Sequence, residues 1–309
     1  MCFLLRVRKK TEINGVIQRI TIVSFELMKK VGLVLEGGGM RGLYSAGVLD
    51  YFLQENLSVD GVIGVSAGAV HGCSFVAKQA KRSYRIYTTY SNDKRFLSFS
   101  SLWKTGDIFG ADFCYRQIPN ELDPFDYQAF REAATDFYVV CTDLSTGMAE
   151  YVKIEDLETQ MDFLRASGSL PLVSRIVKIG DHEYLDGGIA DSIPILQFQK
   201  MGFEKNIVVL TQARDYRKKS DILMPLIRWK YRKYPLFLKA AESRAAHYNE
   251  TLDLIHQMEK EGRVFVIQPE HQVQIGRLEK DVHKLKALYD QGFNDAKSHF
   301  VQMKSYLEK

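Results

Sequence analysis

The sequence predicts an α/β domain with a largely parallel sheet, because short apolar runs alternate with helical patterns along its first two thirds. These runs are of the kind that forms strands buried on both faces. The composition agrees with a globular chain, since 46% of the 309 residues are hydrophobic and 26% are charged. Such usage excludes a disordered or collagen-like protein, and the length allows one large domain or two smaller ones.

The predicted elements follow one another in a regular order. Strands are expected at 31–35, 62–65, 137–141, 176–179, 183–185 and 207–210, and helices at 43–56, 67–78 and 193–200. Residues 214–260 have a helical pattern that is basic and aromatic. A further strand is expected at 264–267 and an amphipathic helix at 277–307.

The chain divides into three parts on this basis. Met28 precedes two lysines and the first strong strand, and it resembles a natural start. We therefore expect an N-terminal extension at 1–27 and an α/β domain at 28–213. A mainly helical C-terminal region at 214–309 is expected to pack on that domain.

Cysteine usage and the N-terminus predict a cytoplasmic protein. The four cysteines (2, 73, 114 and 141) form no C-x-x-C pair, which argues against structural zinc and a disulfide framework. The N-terminal basic run follows its apolar residues, which is the wrong order for a secretory signal. No stretch reaches the roughly 18 uncharged apolar residues that span a bilayer.

The turn Gly37-Gly38-Gly39-Met40-Arg41-Gly42 lies between the first strand and the first helix. It satisfies the dinucleotide-binding pattern G-x-G-x-x-G. That interpretation needs an acid at the end of the second strand, whereas Asp60 precedes this strand. Alternatively, the glycine amides and the following helix form a cradle for a phosphate or an oxyanion. A tight turn without a ligand is the third alternative.

The segment Gly64-Val65-Ser66-Ala67-Gly68 matches the nucleophile elbow G-x-S-x-G, with a strand before it and a helix after it. A serine nucleophile needs a base. None of the seven histidines lies in a strand-end or glycine-rich context, and His71 is expected to point away from the Ser66 hydroxyl. Asp186 precedes two glycines at the end of a strand and can serve instead, although spacing alone does not favour it over Asp143 or Asp191.

These three motifs, in this order, resemble those of the patatin-like phospholipases, a family of acyl hydrolases that includes bacterial members. The segment Arg165-Ala166-Ser167 and Pro171 are also similar to the family's pattern. The resemblance covers about residues 31–212. It implies a three-layer α/β/α fold with a mostly parallel central sheet, and it makes 28–213 the catalytic domain.

The resemblance also implies roles for the motif residues. Ser66 would be the nucleophile and Asp186 the base of a Ser–Asp dyad without histidine, in the elbow bounded by Gly64 and Gly68. The oxyanion hole would comprise Gly37, Gly38, Gly39, Arg41 and Gly42. The implied activity is hydrolysis of phospholipid, lysophospholipid or another fatty-acyl ester, with no cofactor and no metal. A nucleotide-binding protein or a non-enzymatic regulator on the same fold is the alternative.

Residues 214–244 contain ten Lys or Arg and three acids, with four aromatic residues interleaved from Trp229 to Phe237. One interpretation is a surface that meets anionic lipid, peripheral to the inner face of the membrane. The other is a solvated helical face. We expect no nucleic-acid partner, because no binding motif accompanies the charge. The oligomeric state stays open.

Overall fold

The computed structural model describes residues 29–271 and 274–309. The predicted N-terminal extension, residues 1–27, and the predicted start at Met28 lie outside the described residues.

An eight-stranded mixed sheet forms the centre of the fold. Its spatial order is β5-β6-β3-β2-β1-β7-β8, with β4 paired to β3. The strands β1, β2, β3, β7 and β8 are parallel, whereas β4, β5 and β6 join antiparallel. The strand bounds are β1 Lys30–Leu35, β2 Gly61–Val65, β3 Asp136–Asp143, β4 Ala149–Lys153, β5 Val177–Ile179, β6 His182–Asp186, β7 Phe203–Val209 and β8 Val264–Ile267.

Ten α-helices in the described chain surround this sheet. Their bounds are α1 Leu43–Gln54, α2 Ala67–Val76, α3 Arg82–Tyr90, α4 Phe99–Thr105, α5 Tyr127–Arg131, α6 Leu157–Ser167, α7 Ile195–Lys200, α8 Met224–Lys230, α9 Pro235–Lys260 and α10 Val282–Leu307. A π-helix spans Phe113–Leu122, and short 3₁₀ turns span Gly39–Gly42 and Gly187–Ile189.

Both faces of the sheet are covered by helices, because successive side chains of its strands point in opposite directions. Leu33 and Leu35 of β1 join the core that contains α1, α2 and α10, whereas Val34 joins the core that contains α7 and α9. The α/β prediction with three layers and a mostly parallel sheet is therefore confirmed.

The C-terminal region contributes both a strand and a helix layer. Its β8 extends the sheet beside β7, and α10 crosses α1 at two glycines. A Cβ on Gly47 would lie 2.1 Å from the carbonyl oxygen of Tyr289, and a Cβ on Gly292 would lie 2.0 Å from that of Tyr44. The two helices thus approach at a distance that only glycine permits.

Several local features differ from the expectations, which included none of the helices α3 to α6. The helix predicted at 277–307 begins at Val282, because the Asp281 side chain caps it by accepting the N–H of His283 at 2.9 Å. The strand β4 was not predicted, since its residues are only partly buried and it pairs on one side. The π-helix was not predicted either, and it contains Pro119. No helix among the described residues is both long and apolar enough to span a bilayer.

Candidate active site

The sheet register brings the three sequence motifs to one edge. The glycine turn follows β1 and Ser66 follows β2, and these strands are parallel neighbours. Val65 pairs with Val140 of β3, while the next residue of β3, Cys141, pairs with Asp186. Ser66 and Asp186 therefore lie at the same level of the sheet, on either side of β3.

Ser66 adopts the strained backbone of a sharp turn, with φ of 54° and ψ of −123°. Two glycines make this turn possible. A Cβ on Gly64 would lie 2.5 Å from the Cα of Ala69, and a Cβ on Gly68 would lie 2.5 Å from the carbonyl oxygen of Leu35. Ser66 itself is 8% exposed and begins α2, whose dipole favours a negative charge at this position.

The end of α6 and the residues just after it connect Ser66 to Asp186. The backbone N–H of Ser66 donates to Oγ of Ser167 at 2.8 Å. Two residues further on, the carbonyl oxygen of Ser169 accepts the N–H of Asp186 at 2.8 Å. The segment Arg165-Ala166-Ser167, which the sequence indicated only by resemblance, thus leads into the residues that brace both Ser66 and Asp186.

Asp186 is 1% exposed, and its two carboxylate oxygens have different environments. Oδ1 accepts the N–H of Gly188 at 2.8 Å, whereas Oδ2 is buried without a hydrogen-bond partner among the described residues. Asp186 and Ser66 line one cavity of about 430 Å³, together with the glycine turn. The structure thus brings together the serine, the carboxylate and the glycine amides.

The glycine turn packs directly against the elbow. A Cβ on Gly37 would lie 2.9 Å from the Cβ of Ser66, so only glycine fits there. The neighbouring amides are engaged, since Glu36 donates to Val209 and Met40 donates to the carbonyl oxygen of Arg277. The hydrogen bonds of the described residues include none from the N–H groups of Gly37, Gly38 and Gly39.

Not every predicted residue reaches the cavity. Arg41 lines it, but Gly42 packs on α2, where its Cβ would lie 2.7 Å from Nε2 of His71. His71 is buried with Nδ1 2.9 Å from Oγ of Ser83, and burial lowers its pKa to about 3. It is therefore a neutral core residue that points away from Ser66.

The two other candidate acids have separate structural partners. Asp143 lies 2.8 Å from Nδ1 of His182 and accepts hydrogen bonds within its own turn. Asp191 accepts the hydroxyl of Tyr151 at 2.9 Å. Neither residue lines the cavity of Ser66, so the structure distinguishes Asp186 from both.

Several cavity residues were missed by reasoning from the sequence. Lys218, Arg244 and Arg277 line the cavity from the C-terminal region. Burial lowers the pKa of Lys218 to about 7, and it also lowers the pKa of Arg41 and of Arg244. The only sequence signal for Lys218 and Arg244 was their place in a generally basic segment.

Comparison with known proteins agrees with this geometry. The model of the patatin-like phospholipases matches residues 33–198, which contain the glycine turn, Ser66 and Asp186. The chain belongs to the patatin-like phospholipase family. A second model, a domain of unknown function (DUF6363), matches residues 234–308 of this patatin-like protein.

Curated relatives match the patatin-like part. An uncharacterized protein, YjjU of Escherichia coli (strain K12), is 28% identical over 188 residues, which is 59% of this chain and 52% of that protein. Lysophospholipase NTE1 of Saccharomyces cerevisiae is 26% identical over 190 residues, which is 60% of this chain and 11% of that protein. The match thus spans about half or less of these relatives.

Among solved structures, that of VipD from Legionella pneumophila aligns with a TM-score of 0.44 and 13% identity, covering 90% of this chain and 67% of that one.

Proposed function

We propose that this patatin-like protein is a serine acyl-ester hydrolase that uses a dyad of Ser66 and Asp186 on phospholipid, lysophospholipid or another fatty-acyl ester. One observation carries the proposal. Within the described part of the chain, the buried Oδ2 of Asp186 has no hydrogen-bond partner and lines the same cavity as the strained Ser66, beside glycine amides that donate to no acceptor. A buried carboxylate oxygen without a donor is unusual, and a hydroxyl proton is what it would accept.

The reaction is acyl transfer in two halves. Asp186 accepts the Ser66 proton as Oγ attacks the ester carbonyl, and the amides of Gly37 to Gly39 stabilise the oxyanion. Each such donor contributes about 3 kcal/mol to the transition state. The proton then passes to the leaving alcohol, and the acyl-enzyme is hydrolysed by water that Asp186 activates. No hydrogen bond joins Asp186 to Ser66 Oγ in the described chain, as is common before substrate binds.

A second cavity suits the acyl chain by its lining. It is lined mainly by apolar and aromatic side chains, including Val70 of α2 and Tyr115 of the π-helix. A Cβ on Gly168 would lie 2.8 Å from the Tyr115 hydroxyl, so this cavity adjoins the segment that braces Ser66. Its position and lining support a fatty-acyl substrate.

We further propose that the protein meets anionic membranes through one exposed face around α8, the interfacial surface. Ile222 and Trp229 are 92% and 67% exposed, and Leu226 between them is also exposed. Leu226 and Trp229 lie three residues apart on α8, Ile222 lies in the turn just before it, and the exposed Arg232 and Lys233 follow it. Large apolar side chains beside cations favour the lipid interpretation over a merely solvated face.

This surface adjoins the entrance to the cavity. The hydroxyl of Tyr231, just after α8, accepts the N–H of Leu172 at 3.2 Å. Leu172 belongs to the segment that supplies Leu170 to the cavity wall. A lipid held at the interfacial surface would therefore lie close to Ser66.

A fluorophosphonate probe with an ester-turnover assay tests the dyad. We expect Ser66→Ala to abolish both labelling and turnover, and Asp186→Asn to abolish turnover. Ser192→Ala is the matched control, because Ser192 lines the same cavity but donates to the carbonyl oxygen of Gly188. Labelling that survives Ser66→Ala would refute the nucleophile. An unreactive Ser66 would favour the non-enzymatic regulator.

The nucleotide-binding alternative gains no support from the geometry. Asp60 lies at the opposite end of the strands from the glycine turn, where its Oδ2 accepts the N–H of Val31 at 2.6 Å. It is therefore out of reach of a ligand held by that turn.

A further inference from the structure

The cavity of Ser66 contains more positive than negative side chains. Its lining includes four cations and two carboxylates, the latter being Glu36 and Asp186. The cations are Arg41, Lys218, Arg244 and Arg277, and all four are partly buried. The formal charge of the lining is therefore positive by two.

The carboxylates do not pair with these cations. Oε2 of Glu36 accepts the N–H and the hydroxyl of Thr211 at 2.6 and 3.0 Å, and Oε1 accepts the hydroxyl of Tyr248 at 2.7 Å. None of the salt bridges within residues 29–271 and 274–309 includes any of the four cations. Nε of Arg41 and of Arg244 are buried without hydrogen-bond partners there. Nζ of Lys218 lies 4.0 Å from the centre of the Tyr248 ring. Partly buried cations without carboxylate partners cost stability unless a ligand compensates them.

The cations lie on both sides of the Ser66–Asp186 pair. A guanidinium nitrogen of Arg244 would lie 3.2 Å from a Cβ on Gly188, which places it beside the Asp186 turn. Arg277 lies over the glycine turn, where a Cβ on Gly39 would be 3.3 Å from its own Cβ. An ester whose carbonyl faces the glycine amides would have its alcohol part among these cations.

We propose that this cavity selects acyl esters that carry a phosphomonoester close to the scissile bond, such as a 1-acylglycerol 3-phosphate. A phosphomonoester carries about −1.5 to −2 charges at neutral pH, which suits a lining in which four cations outnumber two carboxylates. Arginine forks are also suited to phosphate oxygens. A phosphocholine diester would compensate only one charge and would bring a further cation among the arginines.

Most of the cations in this cavity come from the C-terminal region. Three of the four belong to residues beyond the match to the patatin-like model, which ends at 198. The charge excess is thus a feature that the C-terminal region adds to the catalytic motifs.

The inference rests on the proposed hydrolase activity, and rates on three esters with one acyl chain test it. The esters are 1-acylglycerol 3-phosphate, 1-acylglycerol 3-phosphocholine and 1-acylglycerol, each in mixed micelles of a neutral detergent. We expect kcat/KM for the phosphomonoester to exceed the other two by at least about tenfold, a difference typical of one charge-assisted contact. Equal values for all three would overturn the inference.

Charge-neutralising variants identify the residues responsible. Lys218→Gln and Arg277→Gln should each lower the ratio of phosphomonoester to neutral-ester turnover by about tenfold. Lys239→Gln is the matched control, since Lys239 is exposed on α9 and should leave this ratio at the wild-type value. A ratio unchanged in both cavity variants would overturn the assignment.

Isothermal titration of the Ser66→Ala protein separates this inference from the catalytic proposal. If the protein binds glycerol 3-phosphate and Lys218→Gln weakens that binding, the inference is supported even when no ester is hydrolysed. Absence of hydrolysis would contradict only the proposed function. A second titration with inorganic phosphate distinguishes a site for a lipid headgroup from a site for a free anion. Binding of inorganic phosphate without any ester preference would overturn the headgroup assignment, as would binding of neither anion.

Discussion

The N–H of Gly188 donates to Oδ1 of Asp186 at 2.8 Å, and among the described residues Oδ2 of the carboxylate has no partner. One oxygen is thus used to orient the side chain, while the other is available to a proton. An asparagine at this position could keep the first interaction through its own Oδ1 but could not accept the proton of Ser66 as a base.

The first prediction therefore concerns Asp186→Asn. We expect ester turnover to fall at least about 100-fold, the usual contribution of a general base, while the melting temperature changes little. Asp191→Asn is the comparison, because Asp191 is bonded to Tyr151 outside the cavity. Turnover lost in Asp191→Asn but retained in Asp186→Asn would reverse the assignment of the base.

The second prediction tests the contact between the glycine turn and the elbow. Gly37→Ala places a methyl group 2.9 Å from the Cβ of Ser66, so we expect kcat to fall at least about 100-fold as the oxyanion amides are displaced. Gly276→Ala is the control, since no atom of residues 29–271 or 274–309 lies within 4 Å of its Cβ position. Wild-type kcat in Gly37→Ala would show that the turn does not bind the oxyanion.

The third prediction concerns pH. Burial, with repulsion from Arg244, lowers the pKa of Lys218 to about 7, while Glu36 opposes this shift and Arg41 and Arg277 add to it. Lys218 is thus charged below pH 7 and neutral above it. We expect kcat/KM for 1-acylglycerol 3-phosphate to fall as pH rises through about 7, since this parameter reports the free enzyme. Lys218→Arg should remove this fall in kcat/KM, because arginine stays charged. A fall that persists in Lys218→Arg would show that another group titrates.

The fourth prediction concerns the interfacial surface. Replacing Ile222 and Trp229 together by serine should weaken binding to vesicles containing phosphatidylglycerol at least about tenfold, because two large apolar side chains no longer enter the lipid. Val301→Ser is the control, since Val301 is 76% exposed on α10. Flotation in low and high salt provides the measurement, and wild-type protein that binds no anionic vesicle even at low salt would exclude the surface.

The fifth prediction concerns the crossing of α1 and α10. In an isolated helix, Gly47→Ala would stabilise by about 1 kcal/mol. Here the added methyl group meets the Tyr289 carbonyl oxygen at 2.1 Å, so we expect a net loss of about 1 to 3 kcal/mol in the free energy of unfolding. Urea denaturation measures the change in the free energy of unfolding, with Gly276→Ala as the control. A stabilised Gly47→Ala protein would mean that the helices separate readily.

The parts of the site that could be predicted from sequence depend on local geometry. A buried strand followed by glycines and a helix is recognisable over a dozen residues, and this was true of both β1 with Gly37 and β2 with Ser66. The position of Asp186 became clear only through pairing with Cys141 of β3, which is a contact distant in sequence. Spacing alone therefore did not favour Asp186 over Asp143 or Asp191 as the candidate base.

The cations that line the cavity of Ser66 could not be predicted for a related reason. Lys218 and Arg244 belong to a segment with ten basic residues, most of which lie on the surface. Which of them face the cavity depends on how α9 packs on the sheet, and Arg277 is placed by its carbonyl bond to Met40. Charge composition indicates an anionic partner, but only tertiary packing shows where that partner would bind.

The bond between Arg277 and Met40 also has a consequence for the timing of synthesis. A ribosome releases the glycine turn, Ser66 and Asp186 well before residue 277 and the helix α10 that packs on α1. A nascent chain that stops before residue 277 lacks both α10, which packs on α1, and the carbonyl that accepts the N–H of Met40. The glycine turn and Ser66 therefore acquire this part of their packing only after α10 has emerged and folded.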